Sequence, residues 1–175
     1  LRKTKHLNKN KALTFFRRNE KETKEHNMIV DMERNDLSKI CKTGSVKIDK
    51  LKKVEEYRDL FHYVTTIKGV IKNKMSNHDI ISSLMPGGSV IGCPKISTIQ
   101  LLNRKEKFDR NIYTGSFGII HSNGDMRFNI MIRTLLNFKN DIELSVASGV
   151  ILGSTAKKEY NENYIKAKSL LDLFN

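Results

Sequence analysis

An α+β fold, with antiparallel strands packed against helices, is the class this sequence predicts. Three observations carry it. Residues 19–37 place Met28, Ile29 and Met32 at helical spacing, with Glu and Lys on the other faces. Runs rich in aromatic and β-branched residues follow, two of them flanking the Asn-Gly of "SNGD", a strong hairpin signal. An amphipathic stretch from about 156 to 173 then closes the chain.

In chain order, residues 1–18 lack periodicity and are expected to be an irregular, basic and solvated segment. Asn19, with Glu22 three residues on, opens the first helix in a near capping box. "YRDLFHYVTTIKGVI" (57–71) reads as a strand. Ser76 caps a short helix through "HDIISSLM", which stops at Pro86. "PKISTIQLLNRKE" reads as a helix with Pro94 in its first turn. Strands are expected over 113–120, over "MRFNIMIRTLL" and over "IELSVASGVIL", the last two joined by the turn "NFKND". Residues 19–175 are expected to form part of one larger domain.

The chain has 175 residues, 38% of them hydrophobic and 29% charged, an ordinary globular balance. Only Cys41 and Cys93 are present, so there is neither a disulfide framework nor a CxxC metal pair. No apolar run reaches the ~18 residues of a membrane helix. No h-region follows the basic N-terminus, so a cytoplasmic setting is expected, without a membrane partner. The chain begins at Leu1 rather than Met and is read as a piece of something longer. Net charge is +13, from 32 Lys+Arg against 19 Asp+Glu. That balance suits a nucleic-acid-binding module. The basic residues are spread along the chain without a recognition helix, so nucleic acid is not the expected partner.

"MPGGSVIGCPK" (85–95) looks at first like a phosphate cradle. Gly87 and Gly92 have the Walker A spacing, but Cys93 and Pro94 stand where Lys and Ser/Thr belong. Pro94 also removes an N–H donor. What remains is a flexible turn leading into a helix N-terminus, a geometry that favours anions, carboxylates included.

Seven stretches then occur in order: "EHNMIVDMERNDL", "GSVKI", "HYVTTIKG", "PGGSVIGCPK", "IYTGSFGII", "FNIMIRT" and "EYNENYIKAKSLL". Together they resemble the C-terminal part of the chorismate-binding enzymes, over about residues 19–172. That family includes anthranilate synthase component I, aminodeoxychorismate synthase component I and isochorismate synthase. "PGGS" is similar to the aminodeoxychorismate branch, of para-aminobenzoate and folate biosynthesis, where anthranilate synthases usually have "AGT". The resemblance implies part of an anthranilate synthase-like α/β sandwich. It implies Mg²⁺-dependent amination of chorismate, with ammonia from a glutamine amidotransferase partner or from solution. Anthranilate formation is the alternative product.

At matching positions the resemblance implies magnesium ligation by Glu25 and Glu162, with Glu159 direct or through water. Glu159 and Glu162 are i, i+3 on one helix face, and hard carboxylate oxygens suit Mg²⁺. Lys166, at i+4 from Glu162, becomes a cation for a substrate carboxylate. Arg133, within an apolar run expected to be a strand, becomes the anchor of the enolpyruvyl carboxylate, with Tyr113 nearby. His62 becomes a general acid or orienting donor near the departing ring hydroxyl. Gly87, Gly88 and Ser89 meet the ring carboxylate, and Gly149 ends a glycine-rich strand whose amides meet a carboxylate. Ala147 and Ser148 replace residues that are often Gly in relatives, and Ile91 stands where Thr or Ser is usual. The family's N-terminal half and its "PI-x-GT" motif are not found in these residues. The 175 residues alone are therefore expected to be catalytically weak or inactive.

Overall fold

The computed structural model describes residues 1, 3, 4, 6–58 and 60–174, with Ser169 as backbone only. Arg2 and Lys5 of the basic N-terminal stretch lie outside them. The chain divides into two units, Leu1–Leu84 and Met85–Asn175, and each is built from helices and antiparallel hairpins. That is the α+β class expected.

In the first unit, α1 (Lys9–Arg18) and α2 (Glu20–Ile40) precede the hairpin β1 (Lys47–Glu56) and β2 (Phe61–Lys68), and α3 (Asn77–Leu84) follows. Residues 9–18, read from sequence as irregular, are thus helical. The Asn8 side chain accepts from the Lys11 amide at the start of α1. Ala12 and Phe16, one turn apart, then bury against Val54 and Phe61. Phe16 stacks on Tyr63 with centroids 4.8 Å apart, which closes this core. α2 starts where expected: the Asn19 side chain accepts from the Glu22 amide at 3.2 Å. Its buried face is Val30, Met32, Asp36 and Ile40, while Met28 is exposed, so the expected apolar stripe is rotated. At α3, Ser76 Oγ accepts from the Asp79 amide and the Asp79 carboxylate accepts from the Ser76 amide, both at 3.1 Å, a reciprocal cap.

In the second unit a short turn of helix, α4 (Gly88–Ile91), leads to α5 (Lys95–Lys105), whose N-cap is Pro94. Two hairpins follow, β3 (Ser116–Ile120) with β4 (Met126–Ile130) and β5 (Leu135–Phe138) with β6 (Asp141–Leu144). Then comes α6 (Ala156–Leu171). Gly124, with φ +89, makes the "SNGD" turn possible. Gly118 is opposite Phe128, and a Cβ there would stand 2.1 Å from the Arg127 carbonyl oxygen. The same Cβ would stand 2.5 Å from Phe128 Cδ1, so the absence of a side chain at 118 is what leaves room for the Phe128 ring.

All four expected strands are shorter than read; the first spans Phe61–Lys68 and the second Ser116–Ile120. The run 126–136 breaks after Ile130, because Arg133 adopts a left-handed backbone with φ 52. The run 142–152 leaves the sheet after Leu144, and residues 145–155 wrap toward α6 instead. No helix among the described residues is long and apolar enough to cross a membrane.

Candidate active site

Of the residues singled out by sequence, Glu25 and His62 belong to the first unit. Glu25 is half-buried on α2, with Lys21 Nζ 3.9 Å from its carboxylate. The next residue, His26, sets how this turn of α2 sits. Its Nε2 shares a 2.7 Å hydrogen bond with Thr65 Oγ1 on β2, and its ring lies 4.8 Å from that of Tyr63. Burial first, and then the Lys52 charge, lower the pKa of His26, so the neutral ring is favoured. Thr65 Oγ1 also accepts from the Lys52 amide at 3.0 Å, where β1 departs from regular pairing. The helical turn of Glu25 is therefore pinned three residues beyond His62 on the same strand. His62 is exposed on β2, opposite Glu55, with its ring edge-on to Tyr57 at 5.2 Å. Two grooves of this unit, about 470 and 610 Å³, include neither Glu25 nor His62 among their lining residues.

The second unit holds the remaining residues; Glu162 and Lys166 pair directly, and Arg110, Thr114 and Ala147 supply links near the others. Gly87 abuts β4: a Cβ there would come 3.0 Å from Ile130 Cδ1. Gly88 is buried and Ser89 exposed. One residue further, the Val90 carbonyl accepts from Arg110 Nη1 at 3.3 Å, and the same nitrogen donates to Thr114 Oγ1 at 3.2 Å. The Arg110 guanidinium lies 5.9 Å from the Tyr113 ring centre. Burial raises the Tyr113 pKa and the Arg110 charge opposes that rise, so the phenol stays protonated near neutrality. Thr114 in turn donates its amide to the Met131 carbonyl at 2.9 Å, two residues before Arg133. The Arg133 side chain is exposed and makes no hydrogen bond or ion pair among the described residues. A narrow crevice between Tyr113, Met131, Thr134 and Glu143 completes this side.

α6 carries the two glutamates and Lys166. Glu159 is buried, 7% exposed, and its Oε1 accepts from Ser154 Oγ at 2.7 Å. Ser148 Oγ donates to the Glu159 main-chain carbonyl at 3.3 Å. Glu162 is one turn along the same helix, with Lys166 Nζ 2.7 Å from its carboxylate. Lys166 also donates to the Ala147 carbonyl at 3.2 Å, and the Ala147 backbone contributes to the setting of the Tyr113 hydroxyl. Gly149 is exposed in irregular chain rather than at a strand end, with open space where a Cβ would stand.

The donor set fits a hard cation in kind. Glu159 and Glu162 offer carboxylate oxygens on one helical face, and Mg²⁺ takes one or two carboxylates with water and substrate completing its shell. Among the described residues no third His, Cys, Asp or Glu stands beside them.

Sequence reasoning passed over Arg110, Glu106, Thr114 and Ser154. The i, i+4 spacing of Glu106 and Arg110 was a readable signal. The left-handed backbone of Thr114, φ 65, had none, since the position is not glycine.

Comparison with known proteins gives these contacts a context. An anthranilate synthase component I-like protein of Synechocystis is 38% identical over 153 residues, 87% of this chain and 32% of that protein. Aminodeoxychorismate synthase component 1 of Bacillus subtilis is 38% identical over 149 residues, 85% of this chain and 32% of that protein. The chain thus spans about a third of the length of these curated relatives. The crystal structure of anthranilate synthase component I from Streptococcus pneumoniae superposes with a TM-score of 0.79 at 35% identity, over 90% of this chain and 36% of that one. The isochorismate synthase MenF of Escherichia coli shares the fold, with a TM-score of 0.85 at 22% identity, over 100% of this chain and 40% of that one. Residues 1–172 match the pattern of the family described as chorismate binding enzyme, and the chain belongs to that family.

Proposed function

We propose that this chain is the chorismate-holding part of an enzyme that aminates chorismate to 4-amino-4-deoxychorismate. The observation that carries the reading is the continuous set of contacts in the second unit. It runs from Val90, beside the glycine turn, through Arg110 to Tyr113 and by way of Thr114 to Met131 in the Arg133 segment, while Ala147 links Tyr113 to Lys166, which pairs with Glu162. Chorismate carries two carboxylates, and this surface offers two cations and a turn of small residues for them.

In this reading Arg133 grips the enolpyruvyl carboxylate with its planar fork, and Tyr113 lies beside it. The amides of Gly87, Gly88 and Ser89, with those near Gly149, receive the ring carboxylate, and Lys166 adds positive charge. Glu159 and Glu162 would hold Mg²⁺, and the family resemblance adds Glu25 of the first unit as a further ligand. That ion supplies charge neutralisation for a bound carboxylate. His62 donates a proton to the ring hydroxyl, which leaves as water while ammonia forms the new C–N bond. Ammonia comes from a glutamine amidotransferase subunit, in keeping with the component I names of the relatives.

Anthranilate formation is the second reading, favoured by the relatives and the solved structure that carry that name. The "PGGS" turn favours aminodeoxychorismate. Mass spectrometry of the product from the intact protein separates the two, since pyruvate release without a lyase partner marks anthranilate. Calorimetry of chorismate with Mg²⁺ tests the site itself. Glu162→Ala is expected to abolish Mg²⁺-dependent binding, and unchanged binding removes Glu162 from the metal set. Salt-sensitive retention on nucleic acid without chorismate binding would instead support a basic nucleic-acid module.

A further inference from the structure

We infer that Arg110 is a positioning residue for the substrate site: it fixes the glycine turn at 87–92 against Tyr113. The inference rests on the reading of that turn and of Tyr113 as chorismate contacts. Arg110 joins three segments of the second unit. Its Nε and Nη2 hold the two carboxylate oxygens of Glu106, at 2.8 and 2.6 Å, where α5 ends. Its Nη1 reaches the Val90 carbonyl in α4 and the Thr114 hydroxyl beside Tyr113. Thr114 Oγ1 then donates to the Tyr113 carbonyl at 2.5 Å.

These four hydrogen bonds occupy most of the five N–H donors a guanidinium has. The side chain is only 22% exposed. Arg110 is therefore committed to the protein and acts on substrate through other groups. The planar fork is what lets one residue clamp a carboxylate on one edge and reach two separate loops on the other; a lysine carries the charge without that geometry. Val90 directly follows Ser89, so a shift at Arg110 passes to the turn amides within a few bonds. Thr114 holds a left-handed backbone while buried, a strained state that persists only where neighbours over-determine it. The Arg110 bond to its hydroxyl is one such restraint.

The test compares wild type, Arg110→Gln, Arg110→Lys and Glu106→Gln in the intact protein, with chorismate as substrate. In Arg110→Gln the KM for chorismate is expected to rise about tenfold with kcat changed far less, since binding groups move while the acid and metal residues stay. Arg110→Lys recovers part of the loss. Hydrogen exchange in peptides covering 85–92 and 110–115 speeds up in Arg110→Gln, while exchange in α6 holds. A merely structural role would lower thermal stability and leave KM at its wild-type value, and that result overturns the inference. If Arg110→Gln does not fold, Glu106→Gln, which loosens the same anchor, takes its place, and a wild-type KM there is equally fatal. Wild-type protein that neither binds nor turns over chorismate overturns the underlying reading and this inference with it. Unchanged exchange at 85–92 overturns the inference alone.

Discussion

Ser154→Ala measures how the buried carboxylate of Glu159 is held. Ser154 Oγ donates to Glu159 Oε1 at 2.7 Å and accepts from the Ile151 amide at 3.1 Å. A hydrogen bond to a charged group contributes about 1.5–3 kcal/mol, and a neutral one about 0.5–1.5 kcal/mol. Alanine removes both partners at once. Ser154 is half-buried, so water replaces part of what is lost. The expected destabilisation is therefore about 2 kcal/mol, near the lower end of the combined range. Ser148→Ala is the internal control. Its longer bond, 3.3 Å to a main-chain carbonyl, puts its cost at about 0.5 kcal/mol. Urea unfolding followed by circular dichroism reads both, with separate transitions fitted if the two units unfold independently. Ser154→Ala within about 0.5 kcal/mol of wild type, or no worse than Ser148→Ala, refutes the argument that this hydroxyl supports the carboxylate.

Two further outcomes follow from the same unit. Gly118→Ala places a Cβ 2.1 Å from the Arg127 carbonyl oxygen and 2.5 Å from Phe128 Cδ1. The nearest atom is backbone, so the hairpin must part; a loss of about 3 kcal/mol is expected in denaturant titration. Glu106 is held below its ordinary carboxylate range, first by the Arg110 hydrogen bond. Its folded pKa is thus lower than its unfolded value. The stabilisation is present above the ordinary value of 4.5 and is lost as pH falls through the folded pKa. Since the side chain is 36% exposed, solvent screening holds the effect to about 1 kcal/mol or less. Glu106→Gln is expected to remove that share of the acid sensitivity in melting curves taken between neutral and acidic pH.

Elements announced by local chemistry were legible in the sequence. Asn19 with Glu22, the cap residue Ser76, and the Asn123-Gly124 turn each specify a boundary through a side chain or a backbone preference, and the structure has each there. α1 was not legible, because only Ala12 and Phe16 bury, while Phe15 and the arginines beside them blur the stripe. β1 was not either: "KIDKLKKVEE" is charged and mostly exposed, and it is a strand because β2 lies beside it. The break at Arg133 comes from a backbone state that no residue type there announces. The family motifs pointed to Gly87–Ser89, Tyr113, Lys166 and Glu162; of these, Lys166 and Glu162 pair directly, while Val90, Arg110 and Ala147 supply the links among the rest. The residues that hold them, Arg110 and Ser154, carry no motif meaning and emerge only from geometry.

The backbone at Arg133 bears on how this protein can change. A left-handed φ of 52 costs a non-glycine residue on the order of 1 kcal/mol, and among the described residues the guanidinium offsets none of it with a bond of its own. Selection for foldability alone would install glycine at this position. On the proposed reading of Arg133 as a carboxylate anchor, drift that relaxes the demand for that anchor should erase this arginine early.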